Sequence, residues 1–469
     1  MRAIVVIVCL CLATPVVVAA QESAMAAEFR REAEDVRRDC SGFDLKHISD
    51  CAITLTTGHP LHIAFGSIAP QNGLGLGVAL VGHLPSTDKW TTNWSADVVG
   101  SFTGAWRAGA YMKFVNTNVK PIVVIPNPDP TQPSPPQDAI HPYPVYTAYV
   151  QSISLPKLLY YGLGPSTLPG AKSFFGFDET IVGGNAIVPI SRTGRINLSL
   201  LGEMNGRFAG VHHSQSDDRP SIEEIYTEAT APGLTSQPGV LQFGEGARIK
   251  PALLNGGFNL NYLVQFQQFI APSDATYSFR RWTIDLDHEV PLYRTSRPPV
   301  MTRDTNTPNQ CAIDPKDDKC PSVSRNRTGT VAFRVLVSRS DVGSDSVVPF
   351  YFQRTLGGSD INGERLLASF DDYRFRGPHL FLLQESLEHS LGSWPVGVWL
   401  AAEQGRVSLQ DDNGDSGDIR YSVAAGLTLR AGGFPVVVLS FATGSSEGGH
   451  VAFTIGTSLL GGSPRPSLH

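Results

Sequence analysis

Apolar and polar residues alternate along several segments of the chain. The segment 282–290 shows the pattern most clearly, with one apolar row and one polar row: Trp282, Ile284, Leu286 and Val290 against Thr283, Asp285, Asp287 and Glu289. Successive side chains of a β-strand point to opposite faces, so a period of two predicts strands. An apolar row opposite carboxylates suits a strand between lipid and a wet interior, although a soluble β-sandwich also alternates.

Sixteen segments of this kind follow one another along the chain. An even number of antiparallel strands can close into a barrel with both termini on one side and no unpaired edge in lipid. We therefore predict an all-β fold, a 16-stranded antiparallel transmembrane β-barrel with a short N-terminal periplasmic helix. The predicted strands begin near Leu61, Gly75, Trp94, Trp106, Tyr146, Ser173, Ile196, Phe243, Asn259, Arg281, Thr330, Phe381, Val396, Ile419, Pro435 and His450.

The N-terminus and the composition agree with an exported barrel. Residues 1–20 combine Arg2, an apolar run and a Val-Ala-Ala end, which is typical of a cleaved secretory signal peptide. No later apolar stretch reaches the roughly 18 residues of a membrane-spanning helix, which excludes a helical inner-membrane protein. The 46 Gly and 34 Pro residues favour many short extended segments, and a net charge of −6 gives no nucleic-acid footprint.

The chain divides into three predicted regions. Residues 1–20 are the signal peptide, residues 21–60 hold a periplasmic helix (23–38) and a linker, and residues 61–469 form the barrel. Counting strands from a periplasmic start places the segments 212–239 and 342–380 outside the cell. The same count places a Pro-rich insert, 120–144, and a cysteine-containing insert, 296–327, on the periplasmic side.

Four cysteines remain after the signal peptide, in two closely spaced pairs. An even count in an exported chain favours disulfides, which we expect between Cys40 and Cys51 and between Cys311 and Cys320. Free thiols are the alternative. Metal binding is disfavoured because no histidines accompany the pairs at zinc-ligand spacing.

The C-terminal third resembles a known family. Residues 348–360 (VPFYFQRTLGGSD) and 370–376 (FDDYRFR) resemble the sixth extracellular loop of the outer-membrane assembly-factor and bacterial surface-antigen barrel superfamily. Further similar segments are 381–391, 402–405 (AEQG) and 422–427 (SVAAGL), and upstream 160–166 (YYGLGPS) is similar to the family's third loop. The resemblance is strongest over residues 348–460.

This resemblance implies a loop that folds back into the barrel lumen, and it assigns positions to several residues. The lumen-loop motif comprises Gly357, Gly358, Asp360, Phe370, Arg374 and Arg376, and the acid on the barrel wall is Glu403. The family's aliphatic-Arg-Gly-aromatic signature is replaced here by Leu-Ala-Ser-Phe at residues 367–370. Arg374 or Arg376 is therefore the expected partner of Glu403, because an inward carboxylate is costly unless matched. The alternative is that Glu403 faces lumen water.

Catalytic and metal-binding patterns are weak. Residues 444–448 (GSSEG) spell a nucleophile elbow, but they join two predicted strands, whereas an elbow needs a strand followed by a helix. The acidic run 411–418 lacks the sixth-position glycine and terminal glutamate of a calcium loop. His212 and His213 lie in a predicted surface loop. We predict no enzyme activity, no cofactor and no metal site.

The sequence is compatible with two functions. The resemblance implies insertion or transport of proteins or envelope components, at a seam between the first and last strands. However, only about forty residues separate the signal peptide from the first strand, so no periplasmic polypeptide-transport-associated domain is expected. The alternative is a passive pore or structural surface protein whose lumen acids favour cations: Glu203, Asp285, Asp287, Glu289 and Glu403. The expected partners are outer-membrane lipid, lipopolysaccharide and other envelope proteins, and not nucleic acid.

Overall fold

The structure is a computed structural model of the 469-residue chain. The residues that it describes are 30, 32–34, 36–38, 40–42, 60–84, 86–87, 89–118, 143–190, 196–214, 219–253, 258–295, 327–391, 396–409, 419–431, 434–444, 447 and 449–455. The predicted signal peptide, the calcium-like run 411–418 and nearly all of both inserts lie outside these residues. The chain comprises a small N-terminal unit that ends at His62 and a large unit, residues 63–469.

One antiparallel sheet of sixteen strands accounts for most of the described residues, and its strands are paired in sequence order. Two further short strands, β12 and β13, pair only with each other. The strands are β1 Leu61–Ser67, β2 Leu74–Leu84, β3 Trp90–Ser101, β4 Trp106–Asn116, β5 Val145–Tyr160, β6 Ser173–Pro189, β7 Ile196–His212, β8 Val240–Leu253, β9 Phe258–Ile270, β10 Phe279–Thr295, β11 Arg327–Val342, β12 Arg354–Leu356, β13 Phe375–Gly377, β14 His379–Ser390, β15 Val396–Ser408, β16 Arg420–Ala431, β17 Phe434–Gly444 and β18 Gly449–Ile455.

The predicted all-β fold and the sixteen strands are confirmed. Every predicted start lies within four residues of an observed strand start, and the order is the predicted meander. Helices that follow the first strand are short in the described chain: one turn at Ile222–Ile225 and 3₁₀ turns at Pro169–Ala171, Ala275–Tyr277 and Phe350–Phe352. No helix in this part of the chain is both long and apolar enough to span a membrane.

In a water-soluble protein the exposed face of a sheet is polar and the buried face is apolar. Here the exposed face is apolar and the buried face is polar. In β10, Trp282 and Ile284 are 47% and 38% exposed, whereas Thr283 and Asp285 are 0% and 8% exposed. The same inversion appears in β4, where Arg107 is fully buried between exposed apolar neighbours. Apolar side chains therefore form the outer face, and polar side chains lie on the inner face of the sheet. This distribution matches a sheet whose outer solvent is hydrocarbon.

The N-terminal unit is described only in part. Helical residues lie between positions 30 and 38, within the predicted helix, and Glu32 accepts a hydrogen bond from the backbone N of Leu61 at 3.0 Å. Cys40 is disulfide-bonded. Its expected partner Cys51, and Cys311 and Cys320, lie outside the described residues, so both pairings stay predictions.

Loops from one end of the sheet contact one another. The backbone N of Val347 donates to Thr276 O at 2.8 Å, and that of Phe350 donates to Pro232 O at 2.8 Å. The segments 212–239 and 342–380 therefore lie at the same end, as the strand count predicts. Which side of a membrane this end faces stays a prediction.

Candidate functional site

The long loop, residues 343–378 between β11 and β14, packs against the inner face of the sheet. Its apolar side chains form one buried cluster with side chains of β11, β14 and β15, each no more than 4% exposed: Leu336, Leu356, Leu366, Leu367, Phe370, Phe375, Leu380, Leu382 and Val407. Phe370, the predicted aromatic position, packs edge-to-face on Phe375 with ring centroids 5.2 Å apart. Burial of this much apolar surface holds the loop to the sheet.

The paired glycines of the motif allow the loop to fold tightly on itself. Gly357 and Gly358 have φ angles of +106° and +59°, in the left-handed region that favours glycine. A Cβ atom on Gly358 would lie 2.6 Å from the backbone of Asp372, and one on Gly357 would lie 2.6 Å from the Cβ atom of Arg374. The glycines thus bring the two arms of the loop together.

Asp360 stabilises the turn that follows the glycines. Its carboxylate accepts hydrogen bonds from the backbone N atoms of Asn362 at 2.9 Å and Glu364 at 2.8 Å. Burial, together with the negative charge of Glu364, raises the pKa of Asp360 to about 6. Glu364 in turn pairs with Arg334 of β11, which also binds Asp285.

Glu403 of β15 binds the loop through main-chain and amide groups. Its carboxylate accepts hydrogen bonds of 2.6 Å from the backbone N of Ala368 and from Nε2 of Gln384. Arg365 also interacts with it electrostatically. Glu403 is 1% exposed, so the alternative that it faces lumen water does not fit these contacts. The carboxylate binds the backbone N–H group of Ala368, which stands at the position where the family's signature has its arginine.

The expected pairing of Arg374 or Arg376 with Glu403 is not found, because both guanidinium groups bind elsewhere. Arg374 donates two hydrogen bonds of 2.8 Å to Glu447, in the turn between β17 and β18. It also donates at 2.7 Å to the hydroxyl and to the carbonyl oxygen of Thr167. Arg376 donates to the carbonyl oxygen of Phe350 at 2.7 Å, within the loop itself.

Two adjacent aspartates of the loop contact both ends of the strand order. Asp372 accepts a hydrogen bond of 2.6 Å from Gln71, in the turn between β1 and β2. Asp371 lies 3.7 Å from the ring of His450 in β18 and accepts from Tyr161 at 2.5 Å. Because Gln71 and His450 belong to the first and last hairpins, the sheet curves enough to bring its two ends to the same loop.

Burial shifts the pKa values of these loop groups. Burial and the hydrogen bond to Asp371 raise the pKa of the Tyr161 phenol above its usual range. Burial also acts to raise the pKa of Asp371, but hydrogen bonds from Tyr161 and Lys172 outweigh it, and the pKa falls below its ordinary value. Asp371 is therefore the charged acceptor of this group at neutral pH.

Two of the acids predicted to line a lumen, Asp285 and Glu203, lie on the inner face and bind neighbouring donors. Asp285 accepts two hydrogen bonds of 2.8 Å from Arg334. Glu203 accepts from the amides of Gln242, Gln265 and Gln267 at 2.9, 3.0 and 2.6 Å. Their negative charge is thus offset by neighbouring donors.

His212 and His213 form local contacts. His212 lies 3.5 Å from Asp178, and the His213 ring hydrogen-bonds to Glu223. Among the described residues, no group of three or more His, Cys, Asp or Glu side chains is placed to hold a metal ion.

Three residues that hold the loop were not predicted from sequence. Glu447 lies within the sequence GSSEG, which the structure shows as a turn between two strands, as expected. The first glycine of that sequence, Gly444, leaves space for Ser369 of the loop, since a Cβ there would lie 2.2 Å from its hydroxyl. Thr167 follows the segment that resembles the family's third loop, and that resemblance was the available signal. Gln71 carries no motif.

The sequence matches no protein-family model and no curated protein. Among solved structures, CdiB from Escherichia coli matches with a TM-score of 0.49 and 14% identity, over 84% of this chain and 62% of that one. CdiB from Acinetobacter baumannii matches with a TM-score of 0.45 and 10% identity, over 84% and 58%. BamA from Haemophilus ducreyi lacking POTRA domains 1–3 matches with a TM-score of 0.46 and 10% identity, over 84% and 70%. The chain thus spans about three fifths of the length of the two CdiB structures.

Proposed function

We propose that the chain forms an outer-membrane β-barrel of the assembly and translocation type, with the long loop held inside it. Its role is the insertion or transport of proteins or other envelope components. The single observation that carries this proposal is that one loop, on the inner face of a sheet with an apolar exterior, is bound by groups from nearly every part of that sheet.

The positions of the loop's partners support closure of the sheet around it. Gln71 is in the first hairpin, Thr167 follows β5, Glu403 is in β15, and Glu447 and His450 are at the last hairpin. A flat sheet of sixteen strands at about 4.8 Å spacing would separate its edges by roughly 70 Å. Contacts of one loop with both edge hairpins are consistent with a closed or nearly closed barrel.

The alternative function is a passive cation-selective pore, and the contacts on the inner face of the sheet give it little support. The inner acids Glu203, Asp285 and Glu403 all bind donors of the protein, so their charge is not presented freely to passing cations. The long loop also buries apolar side chains against the inner face.

Single-channel recording separates the two functions. The purified full chain is inserted into planar bilayers, and its conductance and reversal potential in a KCl gradient are compared with those of a variant lacking residues 344–376. We expect small, rare openings from the intact chain and a large steady conductance from the variant. A large, steady, cation-selective conductance from the intact chain would favour the passive pore.

A folding assay tests the assembly role directly. Liposomes with and without the reconstituted chain receive an unfolded small outer-membrane barrel, and the folded fraction is followed by its unheated gel mobility. We expect faster folding with the chain present. The control is a variant in which cysteines replace Gln71 and Asp372. Their cross-link fixes the long loop to the first hairpin and is expected to inactivate the chain. Equal rates in all three preparations would contradict the assembly role and leave the barrel fold untouched.

A further inference from the structure

A cavity with both polar and apolar side chains in its lining lies between the long loop and the inner face of the sheet. Its volume is about 100 Å³, several times the roughly 10–15 Å³ that one water molecule needs. Both charged and aromatic side chains line it. The charged ones are four guanidinium groups and two carboxylates: Arg207, Arg281, Arg354, Arg376, Asp360 and Glu364.

Four guanidinium groups and two carboxylates line the cavity, and one of the four, Arg207, is paired with Glu179 at 3.7 Å. Glu364, one of its two carboxylates, is already bound by Arg334 from β11. Asp360, the other carboxylate, accepts hydrogen bonds from the backbone N atoms of Asn362 and Glu364. Guanidinium groups that share a poorly solvated space repel one another, and a bound anion relieves that repulsion.

Two buried donors at this cavity have no acceptor, and two amide oxygens that line it, Oε1 of Gln353 and Oδ1 of Asn362, have no donor. Nε of Arg354, in β12, and the hydroxyl of Tyr351 are both buried and find no hydrogen-bond partner within the described chain. Both side chains line the cavity. A buried donor left without an acceptor costs free energy, so such groups in a native structure call for a water molecule or an ion.

The chemistry of these donors restricts the ligand. A guanidinium donates hydrogen bonds and accepts none, and its planar fork matches the paired oxygens of a phosphate or sulfate group. Burial lowers the pKa of the Arg354 guanidinium from its ordinary value, because desolvation disfavours its charge. A ligand that supplies both negative charge and several acceptors compensates this desolvation.

We propose that this cavity is a binding site for a small tetrahedral oxyanion, a phosphate or sulfate group, with Arg354 and Tyr351 as its donors. The site is separate from the contacts of Glu403 and Glu447 that hold the loop, and it does not depend on the assembly function. A bound oxyanion joins the loop's β12 to the guanidinium groups that project from β7 and β10.

Calorimetric titration tests this site. The full chain, refolded in detergent micelles, is titrated with sodium phosphate and with glycerol 3-phosphate at constant ionic strength, and sodium chloride is the control. We expect saturable binding of phosphate and none of chloride. Binding of glycerol 3-phosphate as well identifies a site open to a phosphate on a larger molecule, and binding of phosphate alone identifies a site for the free ion.

Three variants assign the binding to the cavity. Arg354→Gln is expected to weaken phosphate binding at least tenfold and Tyr351→Phe at least threefold. Arg280→Gln is the matched control, since Arg280 is the exposed neighbour of Arg281 in β10 and does not line the cavity. Equal affinity in Arg354→Gln and the parent chain, or equal heats from phosphate and chloride, would overturn the proposal.

Folding of each variant is checked by the difference in gel mobility between heated and unheated samples. If Arg354→Gln does not fold, Arg354→Lys and Tyr351→Phe decide the matter. Lysine keeps the charge but lacks the planar fork, so weaker binding by Arg354→Lys supports the site. Unchanged affinity in both of these variants would show that water, rather than an oxyanion, satisfies the two donors.

Discussion

Arg374 of the long loop binds Glu447 of the last hairpin through two parallel hydrogen bonds of 2.8 Å, with the guanidinium only 1% exposed. The same guanidinium stacks 4.6 Å from the ring of Phe375 and donates to Thr167 beyond β5. One side chain thus binds two parts of the chain that lie 73 and 207 residues away from it in the sequence.

The Arg374–Glu447 pair is expected to dominate the attachment of the loop. Arg374→Ala leaves a carboxylate without its partner, and loss of one member of a buried pair costs about 3 kcal/mol or more. The midpoint of the heat-induced gel-mobility shift should fall by several degrees. Arg339→Ala is the control, because Arg339 and Asp341 form an exposed pair and such pairs contribute about 1 kcal/mol at most. Equal effects of the two variants would contradict the assigned role of Arg374.

Removal of the Glu403 carboxylate should loosen the segment around Ala368. Glu403→Ala deprives the Ala368 N–H group and the Gln384 amide of their acceptor, so proteolysis between Ile361 and Arg376 should accelerate. Hydrogen exchange at the Ala368 amide should rise by at least tenfold. Glu385→Ala serves as the control, since Glu385 is an exposed residue of β14 beside β15. Unchanged cleavage and exchange would contradict a role of Glu403 in holding the loop.

A side chain at Gly358 is expected to disrupt the loop more than one at a permissive glycine. Gly358→Ala places a Cβ 2.6 Å from the Asp372 backbone and forces alanine into the left-handed region, which alone costs about 1–2 kcal/mol. Gly170→Ala is the matched control, because no atom lies within 4 Å of a Cβ there. The two thermal midpoints are compared, and indistinguishable values would contradict the turn described here.

The stability of the loop should depend on pH through Asp360. Its pKa is raised from 3.8 to about 6, so its contribution to stability is complete below about pH 4 and is lost as the pH rises through 6. The charged groups that act on it are Glu364 and Arg354. Hydrogen exchange in the segment 358–366, corrected for intrinsic rates, should therefore be slower at pH 5 than at pH 7.5.

Asp360→Asn isolates that titration. Asparagine keeps an oxygen that accepts from the Asn362 and Glu364 amides, but it does not ionise in this range. The variant should show nearly the same corrected exchange at both pH values. If the parent chain and the variant respond alike, another group is responsible for the pH dependence.

The sheet was predictable from sequence because each strand carries its own period-two pattern. Trp282 and Asp285 fall on opposite faces whichever strands flank them, so local alternation was sufficient for strand number and approximate bounds. The position of Glu403 against the long loop followed from family resemblance. The strand bounds and the position of Glu403 could thus both be predicted from patterns in short segments of the sequence.

The partners of the loop were less predictable, since they depend on the path of the whole chain. The sequence predicted that Arg374 or Arg376 pairs with Glu403, whereas the Arg374 guanidinium binds Glu447 and Thr167 and that of Arg376 binds the Phe350 carbonyl. Which distant side chains meet is set by strand order, register and curvature together. Gln71 illustrates the limit, because nothing in its local sequence marks it as a partner of Asp372.

The contacts of Asp371 and Asp372 with Gln71 and His450 have a kinetic consequence. These aspartates cannot acquire all of their partners until the first hairpin and the final strand are both present. Contacts of such long sequence separation form slowly, since loop closure precedes any gain in energy. Docking of the long loop is therefore expected to be among the last events of maturation, so a truncated chain would leave its central segment undocked and open to proteases.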